Sequence, residues 1–181
     1  MKKCIKELIF RDNDFKTMKE YRAKSFKYPE IKVFANFRKA QYYCFCRNPL
    51  TRALWKWKWL QTRKKTHCQI SLNATLGEGF RLIHDGVRVI VANVKIGKDC
   101  AIGVNVILGY NLSGKVGVPT IGDRVYIGHN STIVGGITIG NNVLIAPNTF
   151  VNRDVPDHSI VLGNNVIIPK ENPSEQYLKL Y

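Results

Sequence analysis

From Ile121 to Val151 the sequence runs IGDRVYIGHNSTIVGGITIGNNVLIAPNTFV, and a large aliphatic returns at every sixth residue: Ile121, Ile127, Ile133, Ile139, Ile145 and Val151. This period is neither the 2 of a half-buried strand nor the 3.6 of an amphipathic helix, and a fixed repeat has to be read before any local pattern. Toward the N-terminus, Ile90, Ile96, Ile102 and Leu108 form a second run in the same period, and Ile70, Leu76 and Leu82 a third. The residue after the aliphatic is small in most rungs (Gly97, Gly103, Gly109, Gly122, Gly128, Gly140, Ala146). Four residues after it stands a small or β-branched one (Cys100, Val106, Val125, Ser131, Val143, Thr149). A triangular prism accounts for the pattern. Each hexapeptide makes one short strand and one corner, with the aliphatic filling the interior, glycine supplying the open backbone conformations at the corner, and the smaller residue taking the remaining space. Three hexapeptides close a coil, and coils stack by parallel hydrogen bonding at about 4.8 Å.

The repeat slips twice. Leu82 and Ile90 are eight residues apart, so two are extra, and Leu108 and Ile121 are thirteen apart, so seven are extra. The second slip is a loop over residues 109–119, extruded from one corner, and loops on a rigid scaffold are where binding and catalytic groups concentrate.

The first third of the chain has another character. Residues 1–67 hold 19 basic and 5 acidic side chains, a net +14, whereas residues 68–181 hold 9 and 8, a net +1. This break sets the expected organisation: a basic α-helical region over 1–67, a β-helix domain over 68–168 and a tail over 169–181. Asn48-Pro49 is a helix start, and Leu50, Ala53, Leu54, Trp57 and Leu60 recur at helical spacing through Arg63. Ile31 to Phe45 reads as its antiparallel partner. On a helix the three tryptophans of Trp55-Lys56-Trp57-Lys58-Trp59 cannot all face one way, so some indole is left toward the rim. Such a surface suits an anionic membrane face or a contact with another subunit. Nucleic acid is disfavoured, because no nucleic-acid motif accompanies the charge.

With 45% hydrophobic and 23% charged residues the chain reads as an ordinary globular protein, not a disordered one. No run reaches the roughly 20 apolar residues that span a bilayer. The opening Met1-Lys2-Lys3-Cys4-Ile5-Lys6-Glu7 meets charge too soon for a signal peptide, so the expected compartment is the cytoplasm. Five cysteines (Cys4, Cys44, Cys46, Cys68, Cys100) lack framework spacing and read as reduced thiols. Cys44-Phe45-Cys46 has no second Cys/His pair at zinc spacing and reads as buried thiols, so no metal is expected.

The isoleucine-glycine hexapeptides resemble the left-handed parallel β-helix of the hexapeptide-repeat acyltransferases, an exception to the right-handed crossover rule. Within that superfamily, Leu82-Ile83-His84-Asp85-Gly86, then Ile96-Gly97, Leu108-Gly109, the loop and Pro119-Thr120-Ile121-Gly122 resemble serine acetyltransferases and their relatives that O-acetylate bacterial surface polysaccharides. The resemblance covers about residues 67–168. The helical basic part resembles the glycan-type members only in general character. Asp154-Val155-Pro156-Asp157-His158-Ser159-Ile160-Val161-Leu162-Gly163-Asn164 is similar to the family's close of the β-helix, but Asn165-Val166-Ile167 follows where the family has Pro-Ala-Arg or Pro-Ala-Lys. The fold so implied is mainly β: a left-handed parallel β-helix with an α-helical N-terminal part and one extruded loop.

Moving an acetyl group from a thioester to a hydroxyl needs a base for the alcohol proton and donors for the oxyanion, and needs no metal. Histidine, with an ordinary pKa of about 6.5, is the favoured base. His84 sits where the repeat slips by two, and its spacing to the following hexapeptides matches the catalytic histidine of the resembled family. The family implies a carboxylate fifteen residues earlier, and here that position is Gln69, which can hold a ring N–H but cannot stabilise imidazolium by charge. Asp85 and Glu78 are the candidate substitutes. Asp85, as a neighbour in extended chain, would point to the opposite face unless the slip bends the backbone. The second histidine of the serine enzymes corresponds to Val118, and the aspartate before the catalytic histidine to Ile83. Gln69, Ile83 and Val118 thus replace three polar positions that bind a zwitterionic acceptor, which argues against free serine and toward a sugar hydroxyl.

His129 falls on a rung where the family offers backbone N–H groups to the thioester, as a groove-lining residue or a second base. By the same resemblance, coenzyme A lies in a groove between neighbouring prisms of a homotrimer, lined around Gly109, Gly128, Gly135 and Ala146, with Arg153 or Lys170 reaching its phosphates. The expectation is an O-acetyltransferase using acetyl-CoA on a saccharide acceptor of capsule, exopolysaccharide or lipopolysaccharide synthesis, held near an anionic membrane by its basic region. Serine O-acetylation for cysteine synthesis, or an inactive β-helix scaffold, are the alternatives.

Overall fold

The structure, a computed structural model, describes residues 2–12, 16–44 and 46–180. Phe45, the expected end of a helix, and the side chain of Cys4 lie outside the described residues, as does Met1 of the opening segment. Four helices come first: α1 (Lys2–Asp12), α2 (Met18–Lys27), α3 (Pro29–Cys44) and α4 (Pro49–Thr66). Helix α4 begins where the sequence places it. The Asn48 side chain accepts from the Leu50 and Thr51 N–H groups at 2.9 and 3.2 Å, and Pro49 takes the first helical position, where no N–H is needed. The helix runs one turn beyond Arg63 and ends at His67 in the left-handed region, with Arg63, Lys64 and Lys65 in the last turn, favourable to the helix dipole. Helices α3 and α4 are antiparallel: Asn36 donates to Thr62 at 3.3 Å, Phe37 meets Trp59 at 5.3 Å and Tyr43 stacks on Trp55 at 5.4 Å.

After His67 the chain winds into three sheets. The first holds β1 (Cys68–Ile70), β4 (Arg88–Ile90), β7 (Val106–Gly109), β10 (Thr132–Val134) and β13 (Phe150–Val151). The second holds β2 (Thr75–Leu76), β5 (Lys95–Ile96), β8 (Thr120–Ile121) and β11 (Thr138–Ile139). The third holds β3 (Arg81–Leu82), β6 (Ala101–Ile102), β9 (Tyr126–Ile127), β12 (Leu144–Ile145), β14 (Ser159–Leu162) and β15 (Val166–Pro169). Pairing is parallel until β15 turns back antiparallel on β14 and ends the stack; a short helix α5 (Glu175–Leu180) follows. The result is a left-handed parallel β-helix of about five turns.

Register follows the repeat arithmetic. Ile70, Ile90, Leu108, Ile133 and Val151 stack in one column, Leu76, Ile96, Ile121 and Ile139 in the next, and Leu82, Ile102, Ile127 and Ile145 in the third. All thirteen are buried, and so are the smaller residues Cys100, Val106, Val125, Ser131, Val143 and Thr149. The two slips are absorbed at corners without disturbing the columns.

The reason for the glycines differs from the expected one. Gly97, Gly103, Gly122, Gly128 and Gly140 are not in the left-handed region; a Cβ on Gly97 would lie 2.6 Å from the Gly122 carbonyl carbon, and one on Gly128 2.5 Å from the Pro147 nitrogen. These glycines are required by the approach of the next coil. The positive φ at the corners is carried three residues after the aliphatic, by Asp99, Asn105, Arg124, Asn130, Asn142 and Asn148. Asn and Asp tolerate that region best among residues with a Cβ.

The helices close the first coil. Val33, Phe34, Phe37, Ala40 and Trp59 join one core with Ile70, Leu76 and Phe80, and Trp59 Nε1 donates to the Ile70 carbonyl at 3.2 Å. Buried Arg38 donates to Asp12 at 2.8 and 3.0 Å and to the Leu76 carbonyl at 2.8 Å, while Asp12 accepts the Gly79 N–H at 3.1 Å. An open prism end would otherwise present unpaired backbone. Burial raises the Asp12 carboxyl, and its bonds to Arg38 oppose that.

Cys68 and Cys100 are buried, and burial pushes their thiols up to about 11 and about 12. Cys44 and Cys46 are only half-buried, against expectation, because they flank the turn between α3 and α4, where Cys46 donates to the Asn48 carbonyl at 3.3 Å. Of the three tryptophans, Trp59 is buried, Trp55 half-buried and Trp57 57% exposed. Among the described residues no helix is long and apolar enough to cross a membrane.

Candidate active site

The edge at which the third sheet turns into the first carries, coil by coil, Ile83-His84, Gly103-Val104, Gly128-His129 and Ala146-Pro147. Its backbone is ordered by the ladder: Ile83, Gly103, Gly128 and Ala146 donate to the carbonyls of Ile102, Ile127, Ile145 and Val161 at 2.8–2.9 Å. The N–H groups of Gly128 and Ala146 are therefore spent within the prism, and what these residues offer a groove is space and carbonyls.

His84 lies in the left-handed region (φ 61°), in the turn made by the two extra residues. That turn is tied by Arg88, a buried side chain the sequence reading missed. Its guanidinium donates to the carbonyls of His84 (2.6 Å), Gly103 (2.8 Å) and Gly86 (3.2 Å), and also to that of Ile83. Arg88 occupies the slot two residues before the column residue, which Cys68, Val106, Ser131 and Thr149 fill in the other coils. A charged side chain in a small-residue slot was the available signal. Burial disfavours its charge, while Cys68, Asp85 and Glu30 oppose that shift.

His129 stands two coils above His84, and the rings stack with centroids 5.8 Å apart and planes at 21°. The Val104 N–H donates to His129 Nδ1 at 3.0 Å, which leaves the proton of the neutral ring on Nε2. Burial, then the charges of His84 and Arg88, hold His129 below its usual 6.5. Gly103 makes room for this ring: a Cβ there would be 2.7 Å from Nδ1.

The other expected residues are dispersed. Asp85 is exposed beside His84, and its charge acts on Arg88. Glu78 is on a different edge, where the second sheet turns into the third, and its carboxylate pairs with Arg11. Gln69 faces outward from β1 into a cavity of about 650 Å³ beneath α4, with Lys56, Arg63, Ser71 and Asn73. Ile83 is buried. Gly109, Gly135, Val118 and Arg153 belong to the edge where the first sheet turns into the second. There the extruded loop folds as a hairpin, with Asn111 and Gly117 exchanging bonds of 3.0 and 3.2 Å. Lys115 ties it to Asp154, and the Gly136 N–H donates to the Lys115 carbonyl at 2.8 Å. The Gly135 N–H reaches the Gly109 carbonyl at 3.4 Å. Leu112 at the tip is 86% exposed. Lys170 lies beyond β15, its N–H on the His158 carbonyl. Within one chain, the histidine edge and the loop edge flank the first sheet on opposite sides.

The family description "Bacterial transferase hexapeptide (six repeats)" matches residues 119–153, and "Hexapeptide repeat of succinyl-transferase" matches residues 93–119. The chain belongs to the hexapeptide-repeat acyltransferase family. YvoF of Bacillus subtilis, a provisionally named acetyltransferase, is 32% identical over 103 residues, 50% of this chain and 60% of that protein. Serine acetyltransferase 2 of Arabidopsis thaliana is 34% identical over 110 residues, 56% of this chain and 33% of the plant protein. The chain thus spans well under the full length of these acyltransferases. Among solved structures, Neisseria gonorrhoeae serine acetyltransferase in complex with serine superposes with a TM-score of 0.70 at 26% identity, covering 93% of this chain and 68% of that one.

Proposed function

We propose that this chain is an O-acetyltransferase that moves the acetyl group of acetyl-CoA to a sugar hydroxyl in surface-polysaccharide synthesis, with His84 as general base. The observation that carries the reading is His84 held on a prism edge by buried Arg88, with a second imidazole stacked above it. His84 takes the hydroxyl proton as the oxygen attacks the thioester carbonyl. The tetrahedral intermediate then expels the thiolate of coenzyme A, which takes that proton back from the imidazolium. His129, neutral and with its proton on Nε2, is the donor for the oxyanion, since the N–H groups of Gly128 and Ala146 are occupied by the ladder. Asp85, the next residue in the chain, carries the carboxylate proposed to accompany the His84 imidazolium.

The acceptor assignment rests on Val118, which carries no charge to meet an amino acid's ammonium or carboxylate; Ile83 is buried and Gln69 opens into the cavity beneath α4, so neither of these two expected positions reaches an acceptor at His84. The site is completed by a neighbouring copy in a cyclic trimer, whose loop edge lies against this histidine edge; Arg153 on the loop edge faces the phosphates of coenzyme A, whereas Lys170, beside His158, lies where the second sheet turns into the third. Serine as acceptor is the second reading, favoured by the likeness to the Neisseria enzyme.

Wild type and His84→Ala are to be incubated with acetyl-CoA and nucleotide sugars, oligosaccharides or L-serine, following thiol release and acceptor mass. Saccharide acetylation that falls about 10²–10⁴-fold in the variant is expected. Turnover of serine alone would move the chain to the second reading, and activity that survives in His84→Ala would remove His84 as base.

A further inference from the structure

A cleft of about 480 Å³ opens between α3 and α4, far in sequence from the histidine edge and unused by the chemistry above. Two lysines from different helices converge on one indole there: Lys58 Nζ is 4.6 Å and Lys39 Nζ 5.7 Å from the centre of Trp55. Lys65 and Trp57 complete the wall, and Asn36 and Gln61 add neutral amides. Among the described residues that line it, none is acidic. Lys39 is half-buried, and burial together with the Lys58 charge holds its ammonium below the usual lysine range. Like charges brought together at a partly buried site leave a positive potential that an anion would neutralise.

Along α4, Leu50, Leu54 and Trp57 recur at i, i+4 and i+7 on the face opposite buried Trp59, and are 79%, 46% and 57% exposed. Trp57 belongs both to this apolar stripe and to the cleft. The helix has no acidic residue, and Lys58, Lys64 and Lys65 lie within or beside the stripe, whereas Arg52 and Lys56 fall toward the Trp59 face. An exposed apolar stripe whose charged neighbours are all cations is the arrangement of a helix that lies in the bilayer interface, its indole at headgroup level. The lysine cleft beside it suits one phosphate, as a point-charge site.

We propose that α4 docks on an anionic phospholipid surface, with Leu50, Leu54 and Trp57 in the acyl boundary and a lipid phosphate between Lys39 and Lys58. This site is independent of the acceptor and of the role of His84.

The test is co-sedimentation of the full chain with phosphatidylcholine vesicles, with and without phosphatidylglycerol. Lys39→Gln/Lys58→Gln is compared with a charge-matched pair on the prism, Lys95→Gln/Lys98→Gln. Wild type is expected to partition onto the anionic vesicles only. The cleft pair should lose roughly 10- to 30-fold of that partition and the prism pair almost none, since each lysine at such a surface contributes about one factor of five. The cleft pair should melt close to wild type, because the lost contacts of the two ammonium groups with the Trp55 ring and the relieved repulsion between them oppose each other. The blue shift of tryptophan emission on vesicles should vanish in Trp57→Phe. Equal losses in both pairs, indifference to lipid charge, or displacement by inorganic phosphate at matched phosphate concentration would each overturn the proposal. So would dissociation of an oligomer by Leu54→Ser/Trp57→Ser without lipid, which would make the stripe a contact between copies.

Discussion

The two edges that border the first sheet are built from the same repeat and behave as opposites. On the histidine edge the small residues Gly103 and Gly128 let successive coils approach closely, the ladder takes up the N–H groups, and buried Arg88 fixes the turn that carries His84. On the loop edge seven extra residues leave the prism, close as a hairpin, and expose Leu112 and Val116 at its tip, with an exposed ion pair, Lys115 with Asp154, as tether. The difference teaches a division of labour. The two imidazoles sit where the ladder and a buried guanidinium fix the backbone, and the exposed apolar surface sits where it can be changed without disturbing a coil.

The comparison is broken most severely at Arg88. Arg88→Ala would leave the carbonyls of Ile83, His84, Gly86 and Gly103 without their donor, and a loss of about 3 kcal/mol or more in denaturant unfolding is expected, with activity falling in the protein that remains folded. The exposed tether makes the contrast: Lys115→Met should change stability by no more than about 1 kcal/mol, measured the same way. An effect between these two is expected at Gly103. Gly103→Ala pushes a methyl against the His129 ring and should cost about 1–3 kcal/mol, with thiol release slowed more than melting is lowered.

The smallest effect is on pH dependence. Because His129 is held below 6.5 in the folded chain, the unfolded chain binds its proton first as pH falls. Stability from the neutral ring is full above about 6.5 and declines as pH drops toward the folded value, so the melting midpoint should fall over that window. His129→Gln should flatten this limb, and an unchanged limb would show that another group controls it.

Most of the prism was legible because a buried column is a sequence period. Thirteen aliphatics counted by sixes are the thirteen that stack, and no local propensity had to be judged. The cause of the glycines was misread, since close approach between coils is a contact across 16 or more residues and leaves no local mark. The left-handed corners were visible in retrospect as Asp99, Asn105, Asn130, Asn142 and Asn148, three after each aliphatic. Counting by coil also separates Glu78 from His84: Glu78 follows Leu76 of the second column and His84 follows Leu82 of the third, so they turn different corners. Arg88 was hidden because the two-residue slip moves it out of the simple count. The helical region was legible only in its starts and stripes, because partners such as Arg38 and Asp12 are chosen by packing rather than by any repeat.

The division between the edges is tested most directly by mixing two defective chains. His84→Ala keeps an intact loop edge, and a chain lacking residues 111–117 keeps an intact histidine edge. If the site forms between copies, the two co-expressed chains should regain acetyl transfer that neither has alone, from interfaces that join an intact histidine edge to an intact loop edge. Co-assembled chains with no more activity than the two preparations measured apart would contradict a site shared between the edges.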